Sequence, residues 1–138
     1  MGPLYGKMFH GFSGALEEKK DIGIGEMGIA LDGMLLAVQS ITPAKPGDKT
    51  LIDALYPAVE AFQKAMDEGA DFSSALAEMK SAARAGRDST KNMLAKLGRA
   101  SRLGERSRGV PDAGATSCCL LLETISDTAQ RLLEEQLS

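Results

Sequence analysis

The residues best equipped for chemistry lie between Gly98 and Ser117. Gly98-Arg99-Ala100-Ser101-Arg102-Leu103-Gly104-Glu105-Arg106-Ser107-Arg108-Gly109 gathers four arginines and three glycines in one polar stretch. Arginine supplies fixed, permanently charged donors suited to phosphate oxygens, and glycine lets backbone amides approach an anion closely. The stretch runs into Asp112-Ala113-Gly114-Ala115-Thr116-Ser117, where the start of a helix adds amides that have no intrahelical acceptor. Asp112 has the wrong sign for a phosphate. It suits capping the helix, orienting an arginine, or touching a sugar hydroxyl or a cation. Pairing of Glu105 and Asp112 with the arginines, simply holding a long loop to the surface, explains the same composition. An RNA-binding loop is the weaker alternative, because the region offers no aromatic platform for stacking bases.

A second polar motif, Pro46-Gly47-Asp48-Lys49-Thr50, opens a helix. By itself it reads as a turn with an N-cap; beside the arginine-rich stretch it also reads as part of a ligand site, with Thr42 and Leu51 at the ends of the connection. Other reactive residues carry less. His10 has no cysteine, histidine or aspartate at metal-ligand spacing around it, and Ser101, Ser107 and Ser117 have no histidine nearby to activate them. Cys118 and Cys119 are adjacent in an expected helix, so they cannot form an ordinary disulfide with each other.

The elements that position these groups are helices. Leu4, Met8, Phe12, Ala15 and Leu16 predict a first helix from Pro3 to Lys19. Met27, Leu31, Met34, Leu35 and Val38 give the apolar face of a second, after a glycine-rich start, and Thr42 to Asp48 ends it. A third runs from Thr50 to Asp67 with Ile52, Leu55, Val59, Phe62 and Met66 inward, Asp48 or Thr50 as its cap, and a bend at Pro57 unless that residue sits close to the N-terminal end. Phe72, Leu76, Met79, Ala83, Gly86, Thr90, Met93 and Leu97 predict a long fourth helix with a weak point at Gly86. The last carries Leu121, Ile125, Thr128 and Leu132 inward, with Cys118 on or near that face. This succession predicts one all-α domain over residues 1–138, an antiparallel bundle.

Composition agrees. Apolar residues make up 43% and aromatics 4%, so the core is built from Leu, Ala, Met, Ile and Val. A net charge of −3 gives no general reason to bind nucleic acid, although Arg84, Arg87, Lys91, Lys96, Arg99, Arg102, Arg106 and Arg108 form a basic region that needs an explanation. No apolar run is long enough to span a membrane, and Met1-Gly2-Pro3 lacks the features of a signal peptide. The expected setting is a reducing cytoplasm.

Taken together, Gly47-Asp48-Lys49-Thr50, the segment Gly98 to Ser107 and Asp112-Ala113-Gly114-Ala115-Thr116-Ser117 resemble the nucleotide-binding subunit or domain of dihydroxyacetone kinase. Gly2-Pro3-Leu4-Tyr5-Gly6 resembles the segment after that family's phosphate-binding turn. The resemblance implies a barrel of antiparallel helices with ADP or ATP at one end, contacted here at Thr42, Leu51, Arg99, Asp112, Ala113 and Gly114. It further implies phosphoryl transfer to dihydroxyacetone held by a separate substrate-binding subunit, with ATP or a phosphotransferase-system protein as the phosphoryl source. The family's magnesium-binding aspartates and histidine-containing phosphate loop precede the matched region. They have no counterpart in this sequence, Met1 stands where the family has serine, and Val110 and Pro111 replace its histidine-containing ending. The resemblance therefore implies a chain without the N-terminal helices, its apolar barrel faces covered by self-association or a partner. A noncatalytic scaffold or regulator is the alternative reading.

Overall fold

The computed structural model describes residues 23–93 and 109–137. Four α-helices account for most of them: α1 (Ile24–Gln39), α2 (Ile52–Asp67), α3 (Phe72–Ser89) and α4 (Ala113–Leu137), with a 3₁₀ turn at Thr90–Asn92. Among the described residues there is no strand. The helix expected over Pro3 to Lys19 lies outside them, as do Arg99, His10, Ser101 and Ser107.

Side-chain pairings fix the directions of the helices. Gln63, late in α2, donates to the Gly28 carbonyl early in α1 at 2.9 Å. Phe62 meets Phe72 edge to face, with centroids 6.3 Å apart, joining the end of α2 to the start of α3. From one end of the α3–α4 seam to the other, Ser126 donates to the Leu76 carbonyl, Lys80 pairs with Asp127, and Arg84 pairs with Glu123. Each neighbouring pair is thus antiparallel. One end of the bundle collects the C-terminus of α3, the N-termini of α2 and α4, and residues 40–51.

Local chemistry explains the helix boundaries. α1 begins at Ile24, inside the glycine-rich stretch, because the Gly23 amide donates to the Glu26 carboxylate at 3.1 Å and Met27 donates to the Gly23 carbonyl. Gly28 is buried where a Cβ would sit 3.2 Å from the Met66 methyl group, so the absent side chain lets α1 and α2 approach. α3 starts from Asp71, whose carboxylate accepts from the Ser74 amide at 2.7 Å.

The core follows the expected faces of the first three described helices, from Met27, Leu31, Met34 and Val38 through Ile52, Leu55, Val59 and Phe62 to Leu76, Met79 and Ala83. Three expectations need correction. Gly86 is no weak point: α3 passes through it without interruption and ends at Ser89, giving way to the 3₁₀ turn and to extended backbone at Met93. At Gly86 a Cβ would collide with the Asp53 carbonyl oxygen and lie 3.0 Å from Pro57 Cγ. Pro57, lacking an amide hydrogen, cannot donate to that carbonyl, and glycine lets α3 close against the exposed spot.

The second correction concerns α4, which is rotated relative to the expected face. Ala115, Cys118, Cys119 and Leu122 are buried, whereas Thr128 is exposed and Leu132 is 50% exposed. Leu121 and Ile125 flank the buried stripe. Ser126 lies inside because the Leu76 carbonyl accepts its hydroxyl proton. Third, the formal cap of α2 is Leu51, not Asp48 or Thr50.

Candidate functional site

The two polar segments singled out in the sequence meet at one end of the bundle. The first is built around Asp53, a carboxylate only 5% exposed in the opening turn of α2. Its Oδ1 accepts from the Gly47 amide at 2.7 Å and its Oδ2 from the Thr50 amide at 2.9 Å. Asp53 therefore folds the Pro46–Thr50 turn back onto the helix that follows. Asp48 accepts from the Lys45 amide, Thr50 Oγ1 from the Ile52 amide, and Thr42 Oγ1 from the Ala44 amide. Gly47 has φ 101° and Lys49 φ 61°, so the turn passes through the left-handed region twice.

Lys49 is 4% exposed, with its ammonium inside the protein. Nζ donates to the Val110 carbonyl at 2.7 Å and to the Met93 carbonyl at 3.3 Å. These carbonyls flank the interval from 94 to 108, so one buried cation grips the chain just before and just after it. The Gly109 amide donates to the Lys91 carbonyl at 2.6 Å, and the Asp112 amide donates to Thr90 Oγ1 at 2.8 Å. Thr90 is wholly buried, and its hydroxyl donates in turn to the Arg87 carbonyl.

Asp112 caps α4. Its Oδ2 accepts from the Ala115 amide at 2.9 Å, and its carbonyl accepts from the Thr116 amide. The helix opening therefore has a fixed direction. The amides of Ala113 and Gly114, in the first turn, have no intrahelical carbonyl to use. Ala113 is exposed and Gly114 is buried. These amides and the positive end of the helix dipole form an arrangement that favours an anion.

Of the expected contacts, Asp112, Ala113 and Gly114 stand together. Thr42 is half-buried on the facing segment, and Leu51 is 3% exposed within the apolar core behind it. Arg99 lies outside the described residues. Sequence reasoning missed Lys49, Asp53 and Thr90. The Gly-Asp-Lys-Thr motif signalled Lys49, though spacing alone does not reveal that it turns inward; Thr90 was placed on a buried helix face without a role, and Asp53 carried no signal.

An open groove of about 530 Å³ adjoins this end, with Pro46, Gly47, Asp53, Tyr56, Gly86 and Met93 in its wall. Among the described residues no group of three or more histidine, cysteine or acidic side chains is gathered to hold a metal ion. The three carboxylates at the site, Asp48, Asp53 and Asp112, already accept backbone amides. The described residues do not fit a magnesium site.

Among the described residues, Arg84 and Arg87 of the basic region belong elsewhere. Arg84 pairs with Glu123 at 3.2 Å, and Arg87 pairs with Asp88 at 2.9 Å and approaches Glu123 at 3.7 Å. Hydrogen bonding from Arg84 and Cys119 holds the Glu123 carboxyl below its ordinary range. Both thiols are free and buried; burial pushes Cys118 up to about 12, and burial with a hydrogen bond to Glu123 pushes Cys119 up to about 11. Neither is poised as a thiolate nucleophile.

Comparison with known proteins identifies the family. The family model described as the DAK2 domain matches residues 1–127. The PEP-dependent dihydroxyacetone kinase 2, ADP-binding subunit DhaL of Listeria innocua is 37% identical over 131 residues, covering 94% of this chain and 60% of that protein. The corresponding ADP-binding subunit of Escherichia coli is 33% identical over 129 residues, covering 94% and 61%. The L-erythrulose kinase of Pectobacterium atrosepticum is 40% identical over 98 residues, 69% of this chain and 17% of that protein. The chain thus spans about 60% of the length of the two ADP-binding subunits. With its four described helices antiparallel and its two polar segments joined at one end, the chain belongs to the DAK2 domain family.

Proposed function

We propose that this chain is the nucleotide-holding part of a dihydroxyacetone-kinase-type phosphotransferase, binding ADP or ATP at the end of the bundle where residues 42–51 face the start of α4. The observation that carries this reading is the junction itself: a buried lysine joins the two segments beside a capped helix N-terminus. The relatives named as ADP-binding subunits support it.

In this reading the Ala113 and Gly114 amides face phosphate oxygens, with Asp112 fixing their direction. Arg99 neutralises phosphate charge, Thr42 offers a hydroxyl from the facing segment, and Leu51 is the apolar backing. Residues 1–138 act as one domain within a helical barrel. Magnesium, expected for a complete family domain, would supply neutralisation of phosphate charge, held by carboxylates that have no counterpart in this sequence. The acceptor is dihydroxyacetone or a related small ketose on a separate substrate-binding subunit, and a phosphotransferase-system protein is one source of the phosphoryl group. The chain works in the cytoplasm, where both thiols stay reduced. Among the described residues no helix is long and apolar enough to cross a membrane.

Calorimetric titration with ADP and ATP, with and without magnesium, tests the reading. Saturable binding that weakens at least about tenfold in Arg99→Ala is expected, a loss in keeping with a charge-assisted contact. Absence of binding, even after the remaining part of a family domain is supplied in trans, would reject it.

A further inference from the structure

We infer that Lys49 is a positioning residue for the nucleotide site, setting the start of α4 against the Thr42–Leu51 segment without touching the nucleotide. The inference rests on the nucleotide reading above. A turn followed by a helix requires no buried lysine; a solvated one would serve as well. Here the side chain is 4% exposed, and its backbone holds φ 61°, a conformation that a non-glycine residue keeps only when its surroundings impose it. A buried ammonium is also costly unless its protons are bonded.

The partners lie 44 and 61 residues away in sequence, at Met93 and Val110. Among the described residues, three ties flank the 94–108 interval. Gly109 to Lys91 and Asp112 to Thr90 join its two sides to each other. Of the three, Lys49 alone reaches across to the segment that carries Thr42 and Leu51. Val110 stands two residues before Asp112, so the bond from Lys49 sets the approach of the chain to the helix cap. Lysine suits the task because a compact ammonium on a flexible stem can divide its donors between two carbonyls.

The test uses the full chain with ADP as probe. Lys49→Gly removes the side chain and accepts φ 61° without strain, so the fold is retained, as a thermal melt will verify. Lys49→Met keeps the bulk but not the donors. Both variants are expected to bind ADP at least about tenfold more weakly, as when a charged partner is lost from a hydrogen-bonded site. Exchange at the Gly109 and Asp112 amides should accelerate by a similar factor, while the Ser74 amide at the opposite end is unchanged. Added n-butylammonium, the missing piece of the side chain, should restore ADP affinity to Lys49→Gly; a role in bulk packing alone would not respond to the cation. Wild-type ADP affinity in both variants, or unchanged exchange at Gly109 and Asp112, overturns the inference. If the wild-type chain binds no ADP, even with the remaining part of a family domain supplied in trans, while exchange still accelerates in the variants, the nucleotide reading and the positioning role both fall, and Lys49 is a structural latch only.

Discussion

Along the α3–α4 seam, charged side chains meet one another near the surface: Lys80 with Asp127, and Arg84 and Arg87 with Glu123. At the base of the 94–108 interval, the polar side chains of Lys49, Asp53, Thr90 and Asp112 instead meet backbone amides and carbonyls. The difference in partner is a difference in task. Exposed ion pairs align two helices loosely and tolerate change, because water competes for each partner. Buried side chains bonded to backbone determine where the chain runs, and no water stands by to replace them. The basic region of the sequence is thereby divided: Arg84 and Arg87 are accounted for by the seam, which leaves the anion-binding reading to the segment beyond Met93.

Substitutions can break this contrast, and the largest effect is expected at Gly86. Gly86→Ala drives a methyl group into the Asp53 carbonyl and Pro57, separating α2 from α3 at the residue that holds the 46–50 turn. Overpacking of this kind should cost about 3 kcal/mol, more than the roughly 1 kcal/mol that alanine gains over glycine in a helix. Chemical denaturation measures the loss, and ADP affinity should fall with it.

Thr90→Val conserves shape but removes the acceptor of the Asp112 amide. An unsatisfied buried amide should cost about 1–3 kcal/mol. Amide exchange at Asp112 should accelerate while the Lys80–Asp127 end of the seam is unaffected. Glu123→Gln should have the smallest effect, about 1 kcal/mol or less, since Arg84 is half exposed and the amide still accepts from Cys119. A larger loss from Glu123→Gln than from Thr90→Val, by equilibrium denaturation, would erase the contrast between the two regions.

The helical architecture was legible in the spacing of Leu31, Met34 and Val38 and of Leu55, Val59 and Phe62, since burial of those faces needs no information beyond the period. The face of α4 was not. Cys119 and Ser126 are interior while Leu132 is half exposed, because hydrogen bonds and the neighbouring helix, rather than hydrophobicity, decide that rotation. Gly86 misled for a similar reason: helix propensity marks it as weak, and only the approach of Asp53 and Pro57 from another helix shows why glycine is required. At the candidate site, the phosphate-suited composition and the capping role of Asp112 were readable. The inward turn of Lys49 was not, because its two carbonyl partners come from distant chain and backbone carbonyls leave no mark in a sequence.

The most direct test of the central claim is an ADP titration of the isotope-labelled chain, in the presence of magnesium, followed by amide chemical shifts. The account predicts saturable shifts concentrated at Thr42, Ala113 and Gly114, with the amides of Lys80, Glu123 and Asp127 unmoved. Saturable shifts along the α3–α4 seam with Ala113 and Gly114 silent, or no shifts at any ADP concentration even with the remaining part of a family domain supplied in trans, would contradict it.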